Sequence, residues 1–163
     1  MKKIGYIPFS KDNFNPSFDA RNILLYSKLN KTKIINYYEE KNFEILVLPP
    51  SYDPTNTNIF KQRDYKIVYH IVDDYLSYSD FSFKNIFRGV FYYLIGRSSK
   101  MTFNYKKNQI NLCKLSDAII CASEEQRKKI EKYNKNCFVF FEGHFRVSKA
   151  EVIKQKSKTF KIV

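Results

Sequence analysis

The stretch Tyr65-Lys66-Ile67-Val68-Tyr69-His70-Ile71-Val72-Asp73-Asp74-Tyr75 sets an imidazole and two carboxylates at the end of an otherwise apolar run. A histidine there can take a proton from a hydroxyl, and a carboxylate can orient it or accept hydrogen bonds from a sugar. His70, Asp73 and Asp74 are therefore the candidate catalytic residues. Because His70 alternates with apolar neighbours, it equally fits a hydrogen-bonded core histidine. Paired acids could also hold a cation, but no third ligand stands near them, and no metal is expected.

Three further places hold polar residues just after an apolar run. The first run ends in a loop with Ser10, Asn13, Ser17 and Arg21, and this loop has no glycine. A dinucleotide site needs glycine there to let the backbone approach a pyrophosphate, so a nicotinamide or flavin cofactor is not expected. Ser17 and Arg21 suit contact with a polar substrate; the alternative is a solvated loop with Arg21 in a salt bridge. Near the far end, Phe140-Phe141-Glu142-Gly143-His144-Phe145-Arg146 gives a sharp turn flanked by Glu142 and His144, either a hinge beside a cleft or a surface turn. The third, Cys121-Ala122-Ser123, precedes Glu124, Glu125 and Gln126, which is a helix cap more than an anion site. Cys121, with no base assigned to it, reads as inert filler.

The elements that must position these residues alternate between short apolar runs and amphipathic stretches, the pattern of a parallel sheet covered by helices. Strands are expected at 3–8, 33–37, 43–48, 66–72, 117–122 and 137–141, and helices at 19–30, over 83–115 as one long or two abutting (weakened around 96–99), and at 124–133. The fold class is α/β: a Rossmann-like, doubly wound, mainly parallel sheet of about six strands with helices on both faces. One domain is expected over 1–147. The lysine-rich segment 148–158 reads as a linker, and Thr159 to Val163 as the opening strand of a second domain that would continue beyond it.

A formal charge of +13 suggests nucleic acid or an anionic membrane as partner. Yet Lys far outnumbers Arg and the arginines are scattered, so nucleic acid is disfavoured. Three cysteines without CxxC spacing indicate neither a disulfide framework nor a zinc site, and a reducing cytoplasm fits them best. The opening residues lack the apolar stretch of a signal peptide. The longest apolar run, Val90 to Ile95, falls far short of the ~20 residues of a spanning helix. The segment from Phe83 to Lys100 mixes aromatics with Lys84, Arg88, Arg97 and Lys100, as interfacial helices do. Packing of its apolar side against the sheet is the preferred reading, with peripheral attachment at the inner face of a membrane as the rival.

The order of these features resembles the amino-terminal half of GT-B glycosyltransferases, especially family 4-like enzymes of polysaccharide and cell-surface glycan assembly. The resemblance covers almost the whole chain. Its carriers are the entry Ser17-Phe18-Asp19-Ala20-Arg21-Asn22-Ile23-Leu24, the strand holding His70, and the run from Leu112 to Phe145. It implies a domain that binds a glycan or lipid-linked sugar acceptor, facing a second domain that holds a nucleotide-sugar donor, with transfer to a hydroxyl and no essential metal. By position, Ser17 and Arg21 would line the acceptor side, His70, Asp73 and Asp74 the reacting hydroxyl, and Glu142 and His144 the hinge. The missing glycine-rich turn departs from the commonest family pattern. Without its partner half, a 163-residue fragment is expected to be inactive. The alternative is a basic module without catalysis that binds a membrane or nucleic acid.

Overall fold

A computed structural model of the chain describes residues 3–8, 33–40, 42–61, 64–72, 75–77 and 82–140. Six apolar runs form the strands β1 (Lys3–Tyr6), β2 (Lys33–Asn36), β3 (Ile45–Leu48), β4 (Lys66–Ile71), β5 (Ala118–Cys121) and β6 (Cys137–Val139). All pair in parallel, in the order β2-β1-β3-β4-β5-β6. The expected parallel α/β sheet of six strands is therefore present. Its strands are shorter than their apolar runs. Phe43 and Glu44, for instance, precede β3, and the Phe43 ring lies where a Gly5 side chain would be, 2.6 Å from an added Cβ. Only glycine at position 5 leaves room for that ring.

Successive residues of a strand point to opposite faces, so the sheet has two apolar sides. On one, Leu46, Leu48, Ile67, Tyr69, Ile71, Ile119 and Cys121 are fully or almost fully buried. Of the helices α1 (Phe83–Leu94), α2 (Tyr105–Leu115) and α3 (Glu124–Ile130), the last two build core contacts here, with Leu112 and Cys113 of α2 and Ile130 of α3 joining the cluster. On the other side Ile4, Tyr6 and Val47 form a smaller cluster with Ile34, Ile45 and Val68 packed against it. None of these residues comes from a described helix. The expectation of helices on both faces is thus met on one face among the described residues, and the helix expected at 19–30 lies outside them.

Caps decide where the helices begin and end. Ser82 Oγ accepts the Asn85 N–H at 3.2 Å to start α1. Gly96, at φ +71°, ends it: the Gly96 N–H donates to Tyr93 O and the Arg97 N–H to Tyr92 O, the paired bonds of a Schellman motif. Of one long helix or two abutting ones over 83–115, the chain has two, α1 and α2, with the weak point at the expected glycine. Between them, Asp53 Oδ2 accepts both the backbone N–H and the hydroxyl of Ser99 at 2.6 Å, tying the connection to the loop after β3. Asp117 performs a similar role at the amino edge of the sheet, where Oδ2 accepts the Ile67 N–H at 2.8 Å and Oδ1 takes Lys66 Nζ at 3.3 Å.

Candidate functional site

β4 is the strand that carries the candidate base. Along it Ile67, Tyr69 and Ile71 turn toward the helices, which leaves Val68 and His70 on the opposite face. His70 stands beside Ile120 of β5 in the parallel register and is 8% exposed. It borders a trough of about 350 Å³ along this face, whose floor includes Ile4, Val47, Val68, Ile120 and Phe138. Among the described residues of that lining, the imidazole is the one ionisable side chain. Such a place can receive an apolar body beside a single imidazole.

Of the seven residues singled out as catalytic, acceptor-binding or hinge positions, only His70 falls within the described residues. Asp73 and Asp74, Ser17 and Arg21, and Glu142 and His144 lie outside them. Sequence spacing did not single out the apolar lining of the trough. Its signal was present in the alternation of Val68 with His70 and of Ala118 with Ile120, which marks a second buried-type face on each strand.

The turn after β5 proves to be a cap. Ser123 Oγ accepts the Gln126 N–H at 3.2 Å, and Gln126 reaches back with Oε1 to the Ala122 N–H at 2.8 Å and forward with Nε2 to Val72 O at 3.2 Å. The capping-box position is used as expected, but its side chain bonds one residue earlier than the usual partner. It also ties α3 to the end of β4. Cys121 is buried, and burial, aided by neighbouring Cys137, pushes its thiol up to about 12, which disfavours the reactive thiolate at neutral pH. Burial raises Cys113 to about 12 as well.

Among the described residues no group of three or more His, Cys, Asp or Glu side chains could hold a metal ion. No helix among them is long and apolar enough to cross a membrane.

The segment from Phe83 to Lys100 departs from its preferred reading. Its apolar side does not pack on the sheet: Phe83, Phe87 and Leu94 are 86%, 64% and 74% exposed. The residues of α1 that are buried are Asn85 and Gly89. The stripe of large apolar side chains was visible in the sequence, but an apolar stripe is ordinarily assigned to the core. Here a polar amide and a glycine fill the inner face.

Comparison with protein-family models, with curated proteins and with solved structures finds no match for this chain, so its function is read from the geometry and chemistry above.

Proposed function

We propose that this chain is the acceptor-side half of a GT-B glycosyltransferase that moves a sugar from a nucleotide-sugar donor to a hydroxyl of a glycan or lipid-linked acceptor. The observation that carries the reading is the sheet order, which reverses direction at β1, so that β2 and β3 flank it on opposite sides. In open parallel sheets ligands bind beyond the carboxyl ends of the strands at such a switch point. His70 is the last residue but one of β4, on that end of the sheet. The loop after β1 lacks the glycines of a dinucleotide site, which favours a substrate held by side chains over a phosphate held by backbone.

In this reading His70 accepts the proton of the acceptor hydroxyl, and Asp73 or Asp74 orients it or binds a neighbouring hydroxyl. The oxygen then forms a bond to the anomeric carbon as the bond from that carbon to the nucleotide phosphate breaks, and the nucleotide leaves with its electrons. Ser17 and Arg21 contact the acceptor, and Glu142 and His144 border the hinge. The donor belongs to the second half of such an enzyme. The apolar lining beside His70 supports an acceptor with a lipid portion over a free sugar.

Saturation-transfer NMR tests this on the chain itself. A short-chain prenyl-phosphate sugar should show transfer that is lost in His70→Ala, while nucleotide sugars show none. Tight nucleotide-sugar binding by residues 1–163 would sink the assignment of halves.

A further inference from the structure

We propose that α1 is the surface with which this domain rests on an anionic lipid bilayer. The inference uses residues that the glycosyltransferase reading does not, so each can fail alone. α1 carries Phe83, Phe87, Val90, Phe91 and Leu94 at helical spacing, one continuous stripe. Phe87 and Phe91 stack at 5.6 Å with their planes 10° apart. Beyond the helix, exposed Met101 and Phe103 add further apolar surface.

The outward direction of this stripe is built in. Asn85 Nδ2 donates to Asn104 Oδ1 at 3.1 Å, and Asn85 Oδ1 accepts the Lys106 N–H at 2.7 Å, so the amide is locked to the start of α2. One turn later Gly89 lies so close to Thr102 that an added Cβ would sit 2.0 Å from its carbonyl oxygen. Rolling the helix to bury its aromatics would break both attachments and drive a side chain into that backbone. Arg88 is half-buried over the rings of Tyr92 and Tyr105, at 5.9 and 6.0 Å, and belongs to this inner side.

Charge selects the occupant. Between Asp80 and Asp117 the sequence has seven Lys or Arg and no Asp or Glu. Lys84, Arg97 and Lys100 among them are exposed, Arg97 with its guanidinium 6.0 Å from the Tyr92 ring. A second copy of the chain would bring like charges together face to face. A nucleic acid would meet the cations but leave the phenylalanines and Leu94 in water. An anionic bilayer satisfies both, taking aromatic and aliphatic side chains at the headgroup boundary while lysine and arginine reach the phosphates.

The chain has no tryptophan, so Phe87→Trp installs a single reporter at the centre of the stripe. Its emission should shift to the blue with phosphatidylcholine vesicles containing phosphatidylglycerol and be quenched by brominated acyl chains. Pelleting of the wild-type chain should be at least about tenfold greater with these vesicles than with phosphatidylcholine alone, and should fall as salt is raised. Phe87→Ser with Leu94→Ser should abolish it, and Lys84→Glu with Arg97→Glu and Lys100→Glu should reduce it by at least about tenfold. Circular dichroism of both variants should remain that of the wild type. The proposal is overturned by pelleting that ignores lipid charge or survives both variants, by an unshifted emission from the introduced tryptophan, by a dimer that Phe87→Ser dissolves, or by duplex DNA binding in a protein that ignores the vesicles.

Discussion

The Tyr69 hydroxyl donates to the Gln109 side-chain oxygen at 2.8 Å, with both residues wholly out of reach of solvent. The bond joins the middle of the sheet to the middle of α2, and Gln109 passes the link on through Nε2 to the Tyr105 hydroxyl at 3.3 Å. A buried polar pair of this kind contributes little net energy when made and costs more when one partner is lost. Gln109→Leu, which keeps the volume but removes the acceptor, should lower the unfolding free energy by about 1–3 kcal/mol. Urea denaturation followed by far-ultraviolet circular dichroism reads the change; a midpoint equal to wild type would show that the pair is not made.

Gly89 and Gly96 should answer the same substitution for different reasons. Gly89→Ala puts a methyl into the Thr102 carbonyl and must push α1 away from α2, at about 1–3 kcal/mol. Gly96→Ala meets nothing within 4 Å, but its φ of +71° is left-handed, and the loss should be about 1 kcal/mol. In the first variant the tyrosine environment near Tyr92 and Tyr105 should change as well, which near-ultraviolet dichroism detects. In the second it should not.

Phe87 and Leu46 are both large and apolar, yet only one is in the core. Phe87→Ser should change stability by no more than about 0.5 kcal/mol, whereas Leu46→Ala should cost about 2–5 kcal/mol. Chemical denaturation of the two variants compares them directly. Equal losses would mean that α1 turns its stripe inward in solution.

Alkali should loosen the fold. Cys113 and Cys121 are held to about 12 and Tyr105 to about 12, each chiefly by burial, against ordinary values of 9.0 and 10.0. The folded state therefore binds these protons more tightly than the unfolded chain does. That contribution is complete below about pH 9 and is lost as pH climbs toward 12. Unfolding midpoints measured in steps across this window should fall steadily. A thiol reagent at pH 8 should meanwhile react slowly with the native protein and fast in urea.

Much of the sheet was legible because strands buried on both faces leave continuous apolar runs stopped by turn residues, as Ile45 to Leu48 are stopped by Pro49 and Pro50. Capping was legible too, since Ser123 and Gln126 act within a few residues of each other. What escaped is what depends on distant partners. Phe43 looks like strand, but its ring is taken by the space above Gly5. α1 looks like a core helix, because nothing local states that Asn85 will find Asn104 and Lys106. An asparagine and a glycine one turn apart inside a helix are poor helix formers, and their presence was the available hint that this face serves a tertiary contact. At the candidate site, the sequence put His70 within a strand, but which face of the sheet its imidazole takes depended on a register that a run of apolar neighbours does not reveal.

The all-parallel sheet also sets the order of events during synthesis. Ile4 lies beside Ile34 on one side and Ile45 on the other, and among the described residues no pair of strands is joined by a tight hairpin. During synthesis β1 must then wait for the chain through Leu48 before both its edges are covered. Until that point it offers exposed peptide groups to any other strand. Non-local pairing of this kind slows folding, so a nascent chain stalled between β1 and β3 is the species most exposed to aggregation and to chaperone capture.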